Sequence, residues 1–312
     1  MDPYRPHLLR YRRVHNLAGR QAEVVSRRQL YAIGITRWEI KAHVRARRWQ
    51  AIGDQSVCLY TGPLTDEAWQ WAAVFQGGPR AHLDGASALI ASGLKRFELP
   101  RIRVSVPRGA RVRRSARFDI RQTRRWSPHL VAETGVPRTV PPVAAIRAAL
   151  WAKSDKQAAL LLTMTVQQGL AVPEELAEAA LQVRRDRRRR LIHDLLLDLL
   201  GGVQSLGELD FARECRRRGL PRPSRQVLRK VGVNRYYLDV CWDDWHVVVE
   251  IDGIHHSWAE NLVADALRQN AIALGSDKVL RLPLLGFRVQ REDFFAQIEA
   301  ALHAAGWRRS AA

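Results

Sequence analysis

Cysteine is scarce in this 312-residue chain, which contains only Cys58, Cys215 and Cys241. Three scattered cysteines, an odd number, are too few for a disulfide framework or a zinc site. No uncharged apolar run approaches the ~18 residues of a membrane-spanning helix, and the first residues lack the hydrophobic segment of a secretion signal. These absences predict a cytoplasmic, reduced protein with no membrane-embedded part.

Acidic residues are in the minority as well. Against 51 lysines and arginines the chain has 31 aspartates and glutamates, a formal net charge of +20. An excess of this size favours a polyanionic partner, of which nucleic acid is the natural candidate and a membrane surface the alternative. We therefore expect DNA as the partner, and the length predicts two domains with separate cores.

Changes in composition divide the chain into six segments, and the fold class they predict is α/β, or α+β when the whole chain is considered. The segments are a basic arm (1–22), a winged helix-turn-helix (23–62), an α/β region (63–142), a helical connector (143–203), an α/β domain with a mixed sheet flanked by helices (204–306) and a tail (307–312). The basic arm, which is rich in arginine, is expected to be mobile.

Residues 24 to 60 have the outline of a winged helix-turn-helix. Ser26 can cap a short helix that Gly34 ends, and Thr36 with Glu39 can form the capping box of a second helix. The β-rich residues 49–60 would then form the wing.

The second of these helices carries a basic stripe. Arg37, Lys41 and Arg45 recur at every fourth residue, so they share one helix face. Three spaced basic residues are often only a solvated face, but their place on the second helix of a short pair is typical of DNA contact.

Two other arginine-rich segments have two interpretations each. Between residues 107 and 142 arginines alternate with Phe118 and Trp126, a mixture that suits phosphate contact with base stacking and equally suits a solvated β-hairpin. Residues 184–190 contain six arginines, which would serve either a phosphate backbone or a solvated helix start.

Residues 237 to 256 have the pattern of a β-hairpin that carries three carboxylates. Two β-rich runs, 238–242 and 245–251, are separated by Asp243-Asp244, which we interpret as a two-residue turn. This register places Asp239 opposite Val248, and Glu250 one diagonal step from Asp239, about 7 Å away.

Alternation along the strands separates a polar face from an apolar one. The polar face comprises Asp239, Cys241, His246, Val248, Glu250 and Asp252. A strand as apolar as 247–251 is expected to be buried, where a carboxylate costs several kcal/mol unless it is paired or binds a metal. The three carboxylates therefore predict a divalent-cation site, and the alternative is a half-exposed hairpin with a polar outer face.

The segments around the hairpin complete an α/β layout of helix, three strands, helix, strand and helix. Ser205 and Glu208 form a capping box that opens the first helix, which is expected to run to Arg218. The other expected elements are a first strand at 225–228, a helix with Asp265 and Arg268 one turn apart, a strand at 279–283 and a closing helix at 293–304.

Residues 24 to about 135 resemble the winged-helix N-terminal region of actinobacterial proteins related to AbiEi-type abortive-infection antitoxins. The resemblance lies in the helix-turn-helix outline, in residues 81–94 and in residues 102–107. It implies DNA binding and, in the antitoxin relatives, repression of their own promoter. A cognate toxin or another defence protein is the partner that it implies.

Residues 205 to about 305 resemble an uncharacterised family related to the very-short-patch-repair endonucleases, within the PD-(D/E)XK nuclease superfamily. The matching motifs are Ser205-x-x-Glu208, Gly219-Leu220-Pro221, Gln226, Asp239, Glu250-x-Asp252-Gly253-x-x-His256, Asp265-x-x-Arg268 and Val279-Leu280-Arg281. The superfamily implies hydrolysis of DNA phosphodiester bonds that depends on Mg²⁺, with Mn²⁺ as the alternative ion.

The same resemblance implies roles for single residues. Asp239 and Glu250 would be metal ligands, and Glu208 the helix acid that supports metal or water. Gln226 would be an accessory polar group that contacts DNA from the first strand.

One departure from the superfamily concerns Asp252, which stands where the superfamily has a lysine. Water activation would then come from His256, from Arg268 or from a second metal that Asp252 holds. His256 could equally be an ordinary histidine at a strand end, and Arg268 an intrahelical partner of Asp265. The sequence thus predicts a DNA-binding, Mg²⁺-dependent endonuclease. The alternative is a non-catalytic regulator or type IV antitoxin-like protein with a degenerate nuclease domain.

Overall fold

Two units make up the chain, Met1–Arg147 and Ala148–Ala312. The computed structural model describes residues 5–112, 115–132, 134–201, 208–230, 236–252, 263, 266–267, 270 and 279–309. For residues 5–7, 201, 208–210, 225–230, 236–239 and 252 it describes the backbone alone. Helices and three small sheets give the α+β fold that the sequence predicts. Within these ranges no helix combines the length and apolarity that crossing a membrane requires.

The first unit combines helices with two three-stranded sheets. Its helices are α1 (Arg5–Ala18), α2 (Arg27–Ile33), α3 (Arg37–Arg45), α4 (Asp66–Gly77), α5 (Ala86–Ala91) and α6 (Pro141–Trp151), the last of which continues past the unit boundary. Its strands are β1 (Val24–Ser26), β2 (Gln50–Ile52), β3 (Ser56–Cys58), β4 (His82–Leu83), β5 (Ile102–Pro107) and β6 (Phe118–Thr123).

Local capping residues define α2 and α3 as the sequence predicts. Ser26 and Gln29 form a capping box at the start of α2, and Gly34 ends that helix with a left-handed φ of 89°. Thr36 and Glu39 form the second capping box, at the start of α3. Strands β2 and β3 follow α3 in the chain and pair antiparallel. Strand β3 also pairs antiparallel with β1, which gives the sheet order β1-β3-β2. The two short helices, the turn between them and the following antiparallel pair of strands therefore lie at the predicted positions.

The prediction of a mobile basic arm is wrong for residues 5–18, which form α1. Val14 and Ala18 of this helix are fully buried in the core shared by α2, α3 and the wing, and Leu17 packs against that core. Apolar residues at helical spacing give α1 a buried face, Arg12 and Arg13 are exposed, and Arg10 is half-buried and donates Nη1 to the carbonyl of Gly34 at 2.5 Å. The arginine content concealed this amphipathic pattern.

The second sheet of the unit has the order β4-β5-β6. Strands β5 and β6 run parallel, with Ile102 opposite Phe118 and Pro107 opposite Thr123. The arginine-rich residues that join them therefore do not form the β-hairpin that was one interpretation of this segment. A parallel pair needs a crossover connection, which residue composition alone does not reveal.

A buried ionic network ties this sheet to α6. Asp84, which is fully buried, accepts hydrogen bonds from Arg147 Nη1 at 2.8 Å and Thr139 Oγ1 at 2.9 Å. Arg147 also donates Nη2 to the carbonyl of Arg125 at 2.8 Å. Because both charged groups are hydrogen-bonded, neither is left uncompensated in the core.

The second unit contains the helices α7 (Asp155–Gln167), α8 (Pro173–Leu181), α9 (Arg189–Gly201), α10 (Glu208–Arg217), α11 (Leu284–Val289) and α12 (Arg291–Ala304). Its strands are β7 (Arg225–Lys230), β8 (Tyr236–Trp242), β9 (Val247–Asp252) and β10 (Val279–Pro283). They form one sheet in the order β10-β9-β8-β7, in which β10 is parallel to β9 and the other pairs are antiparallel. The predicted mixed sheet is confirmed, and α11 was not predicted.

The predicted helical connector belongs to this second unit from residue 148 onward. Its arginine run is not a uniformly solvated segment, because Arg188 is 4% exposed. Arg188 donates Nε to Asp155 at 2.9 Å and Nη1 to the carbonyl of Leu150 at 3.2 Å. This arginine therefore holds α9 against the preceding helices and does not face a phosphate backbone.

Aromatic side chains form the centre of the second core. The ring centroid of Phe211, on α10, lies 6.3 Å from that of Trp242 on β8, 6.2 Å from Phe287 and 5.4 Å from Phe295. Burial also raises the pKa of Cys215 on α10 to about 12. This thiol is therefore a protonated core residue and not a reactive one.

Candidate functional site

The predicted basic stripe lies on the exposed face of α3. Arg37, Lys41 and Arg45 are exposed, and none of them forms a salt bridge within the described part of the chain. Between the first two lies Trp38, whose ring is 64% exposed and is contacted by Arg37 Cζ at 4.7 Å and Lys41 Nζ at 5.5 Å from its centroid. No sequence motif indicated a role for Trp38.

The inner face of α3 is fixed by packing. Ile40 is buried, and His43 stacks on Trp49 of the wing with ring centroids 4.1 Å apart. Tyr11 of α1 is hydrogen-bonded to His43 Nε2 at 2.8 Å. These contacts join α3 to the wing and to α1, so the basic stripe is presented on a rigid element.

The predicted register of the C-terminal hairpin is wrong by two residues. Trp242 pairs with Val247, and the loop comprises residues 243–246, with Asp243–Trp245 in a 3₁₀ turn and His246 at a φ of 51°. A two-residue turn of the favoured type needs positive φ at both positions, hence usually glycine. Neither Asp243 nor Asp244 is a glycine. The chain instead forms a four-residue loop in which His246 has the left-handed conformation.

The observed register brings two predicted metal ligands to facing positions. Asp239 lies directly opposite Glu250, and both occupy the same face of the sheet. Cβ atoms of facing residues are roughly 4.5–5.5 Å apart, closer than the predicted diagonal. Two like charges at such positions are destabilising unless a cation is nearby, and carboxylate oxygens are the ligands that Mg²⁺ prefers. The donor set on this face is therefore compatible with a magnesium ion.

The burial argument for these carboxylates does not apply to Glu250. The apolar face is buried as predicted, because Val240, Val247, Val249 and Ile251 are all fully inaccessible. The side chain of Glu250, on the other face, is 39% exposed. An exposed carboxylate is stabilised by water, so the case for a metal rests on the pairing with Asp239 and not on desolvation.

On the side of β10, Glu250 has a positively charged neighbour, Arg281. Strand β10 runs parallel to β9 with Arg281 opposite Glu250, and Arg281 Nε lies 3.6 Å from Glu250 Oε2. The guanidinium is 67% exposed, which makes this a weak surface ion pair. Arg281 was noted in the sequence only as part of a motif. Its position beside Glu250 depends on strand order.

Asn270 fixes the main chain at Arg281. Its side-chain amide donates to the carbonyl of Arg281 and accepts from the N–H of Arg281, both at 2.8 Å, and also donates to Gln297 Oε1 at 3.0 Å. Asn270 is 2% exposed and sits at a helical position, where the sequence indicated no role for it. The amide of Asn270 thus satisfies both main-chain hydrogen-bonding groups of Arg281 and fixes the backbone of β10 at this residue.

The remaining predicted catalytic residues are described in part or not at all. Glu208 is the first residue of α10, but its side chain and Ser205, its predicted capping partner, lie outside the described residues. Asp252 ends β9, and its side chain is also outside them. His256 and Arg268 lie outside the described residues altogether. Within those residues, no cluster of three or more His, Cys, Asp or Glu is arranged to hold a metal.

The register separates Gln226 from the carboxylates. Gln226 pairs with Val240, whereas Val227 pairs with Asp239. Since alternate residues of a strand lie on opposite faces, Gln226 occupies the face of the buried Val240. By its register, Gln226 falls on the face of the sheet opposite to Asp239 and Glu250, and its contact with DNA stays a prediction.

An ionic cluster holds α10, the helix that begins at Glu208, against α12. Hydrogen bonds from Arg217 and from Arg218, partly offset by burial, lower the pKa of Glu214. Arg218 donates Nε to Glu214 at 2.7 Å and Nη1 to Glu292 of α12 at 2.6 Å. The cluster fixes the end of α10 that is farther from Glu208.

Comparisons with known proteins leave the family open. No protein-family model matches the chain, and no curated protein matches it. One solved structure to which it is similar is the crystal structure of the RV2827C protein from Mycobacterium tuberculosis. The two are 18% identical with a TM-score of 0.38, over 64% of this chain and 77% of that chain. A similarity at this level carries no argument, so the two family resemblances remain predictions from sequence motifs.

Proposed function

We propose that the chain binds duplex DNA through α3 and hydrolyses phosphodiester bonds in its C-terminal unit with Mg²⁺. The observation that carries the DNA-binding part is the stripe of Arg37, Lys41 and Arg45, exposed on the second helix of a winged helix-turn-helix. Without a carboxylate partner in the described part of the chain, these charges are available to phosphates. The formal net charge of +20 adds a long-range attraction.

The salt dependence of binding tests this part. Each phosphate that a basic side chain neutralises adds about 0.9 to the slope of log K against log salt concentration. We expect the triple substitution Arg37→Gln, Lys41→Gln, Arg45→Gln to lower that slope by about 2 to 3 in fluorescence-anisotropy titrations of a duplex. A charge-matched control is Arg20→Gln, Lys153→Gln, Lys156→Gln, at exposed positions that do not belong to α3. Equal effects of the two triples would contradict a role for α3.

The nuclease part is supported by the facing positions of Asp239 and Glu250 on adjacent strands. These residues would hold Mg²⁺, which when bound lowers the pKa of a coordinated water and neutralises phosphate charge. Glu208 and Asp252 are assigned to the same acidic site by the family motif. Arg281, beside Glu250 and largely exposed, would contact a phosphate oxygen.

Two further roles follow from the motif. His256 would accept the proton of the attacking water, and Arg268 would stabilise the charge that develops on the phosphoryl group. Mn²⁺ would substitute for Mg²⁺ at oxygen ligands of this kind. Both residues lie outside the described part of the chain, and their roles rest on the resemblance.

The second candidate is a non-catalytic DNA-binding regulator, or a type IV antitoxin-like protein with a toxin partner. The Arg281 guanidinium favours it, because it balances the charge of Glu250 without a metal. Asp252 also stands where the superfamily has lysine. In this alternative the C-terminal sheet is a structural or partner-binding module.

Plasmid cleavage with Mg²⁺, Mn²⁺ or Ca²⁺ separates the two candidates. If the nuclease proposal holds, Glu250→Gln should lower the cleavage rate by roughly 100-fold or more, as removal of other electrostatic catalytic groups does. The exposed Glu174→Gln serves as the matched control and should cleave normally. Binding without cleavage in every metal would support the regulator. Cleavage that persists in Glu250→Gln would mean that the activity does not come from this site.

A further inference from the structure

The second unit has an apolar groove between α8 and α9. Its volume is about 190 Å³, which is below the roughly 300–1,000 Å³ of typical small-molecule sites. Its floor consists of the buried side chains of Val183, Ile192 and Leu196. A groove of this size and lining suits the apolar side chains of another protein surface better than it suits a free ligand.

Three leucines on the walls of the groove are in contact with solvent. Leu181 of α8 is 80% exposed, and Leu197 and Leu200 of α9 are 43% and 44% exposed. Single exposed leucines are ordinary on a protein surface, but three that line one groove form a common apolar patch. Such a patch marks a surface that binds another protein.

The two walls of the groove differ in charge. Helix α8 contains three glutamates and no basic residue. On α9, by contrast, Arg189 and His193 line the groove. Of the aspartates of α9, Asp198 is buried in an ion pair with Arg288, and Asp194 lies beside His193. One wall is therefore acidic, and the other is basic where α9 begins.

Glu178 and Arg189 lie on opposite walls at the same end of the groove. Glu178 is one turn before Leu181, the last residue of α8, and Arg189 is the first residue of α9. Val183, in the connection between the two helices, lines the groove at this end. Glu178 and Arg189 are exposed, and neither forms a salt bridge within the residues that the structure describes. Both charges are therefore available to a partner.

We propose that a second copy of this chain covers the groove and forms a symmetric dimer. A two-fold axis parallel to the groove places α8 of each copy over α9 of the other. The exposed leucines of the two copies then meet, and Glu178 faces Arg189 of the partner subunit, once on each side of the axis. An interface of this kind is its own complement, as two-fold symmetry requires.

The charges of the two walls favour this occupant and this orientation. A two-fold axis that crosses the groove would place α8 over α8 and so bring like charges together. A uniformly acidic or basic helix from another protein would be attracted by one wall and repelled by the other. The dimer is a proposal separate from DNA binding and cleavage, and it does not depend on either.

Sedimentation equilibrium of the full chain over a range of concentrations measures the Kd of the dimer. Leu181→Ser removes an apolar contact that the two-fold symmetry uses twice, and we expect it to raise the Kd by about tenfold or more. Because Leu181 is exposed in the single chain, the fold should tolerate the change. Leu8→Ser is the matched control, at a leucine of α1 that is 64% exposed, and it should leave the Kd unchanged.

Charge reversal tests the orientation. Glu178→Arg and Arg189→Glu should each raise the Kd by about fivefold or more, because each places two pairs of like charges in the interface. Neither change opposes the helix dipole, since the arginine is added near the end of α8 and the glutamate at the start of α9. An equimolar mixture of the two variants restores opposite charges on both sides of the axis, so it should form a heterodimer with nearly the original Kd.

Three results would overturn the proposal. A protein that is monomeric at every concentration would have no second copy in the groove. Equal effects of Leu181→Ser and Leu8→Ser would place any self-association elsewhere. A mixture of Glu178→Arg and Arg189→Glu that associates no better than each variant alone would exclude the pairing across the axis, and a defect of Arg189→Glu in duplex binding alone would assign that arginine to phosphate.

Discussion

Replacing Arg147 by methionine should strongly destabilise the first unit. Arg147 is 4% exposed and Asp84 is completely inaccessible, so the substitution removes a guanidinium and leaves a carboxylate in the core. The apolar methionine fills similar space and offers no charge. The perturbation therefore isolates the electrostatic and hydrogen-bonding contribution of one side chain.

The expected magnitude follows from what Asp84 keeps. Thr139 Oγ1 still donates at 2.9 Å and the N–H of Gly85 at 2.8 Å, whereas the 2.8 Å bond from Arg147 is lost. Removing one partner of a buried ion pair costs about 3–5 kcal/mol. For a unit of about 150 residues this corresponds to a fall in melting temperature of about 6–20 °C.

Differential scanning calorimetry of the full chain measures the effect on the first unit. The double substitution Asp84→Leu, Arg147→Met removes both charges, and we expect it to recover most of the lost stability. A fall of less than about 1 kcal/mol in the unfolding free energy of Arg147→Met would refute the reasoning, because the buried pair would then contribute no more than a surface salt bridge. A double variant less stable than Arg147→Met would contradict it as well.

Three more predictions concern stability. Asn270→Ala should lower the unfolding free energy of the second unit by about 2–3 kcal/mol in urea titrations, because both bonds to Arg281 are lost; an unchanged midpoint would contradict this. The pKa of Glu214 is held below its ordinary 4.5, chiefly by Arg217, so its stabilisation is present above that pH and is lost as the pH falls through the folded pKa. Glu214→Gln should make the melting temperature less dependent on pH between pH 5 and 3, about the range where such carboxylates protonate. Burial lowers the pKa of His82 below 6.5, so the unfolded chain binds a proton first and the first unit loses stability as the pH falls below that value. His82→Asn should remove this dependence, and an identical pH profile would refute it.

Local interactions explain why the helix-turn-helix was predictable. Each capping box joins residues three apart, and Gly34 supplies the positive φ that ends α2. The buried positions Ile35 and Ile40 follow from the same short-range pattern. The same helical periodicity is present in α1, but its high arginine content favoured the prediction of a mobile arm over that of a helix with an apolar face.

The carboxylate site of the second unit was predictable only in part, because its geometry depends on long-range pairing. Alternation gave the correct faces of β8 and β9, since an error of two residues preserves the parity of a strand. The alternation pattern did not predict that Asp239 and Glu250 lie directly opposite each other. Arg281 and Asn270 entered the site through the parallel pairing of β10, which periodicity does not encode.

The amide of Asn270 has a consequence for assembly. Within the described sheet β10 is one of the two edge strands, and its peptide groups at residue 281 would otherwise be open to a strand from another molecule. Exposed edges of this kind promote intermolecular sheet growth and aggregation. By engaging both groups at once, one side chain blocks the pairing of another strand at residue 281, and loss of this asparagine would open the edge there.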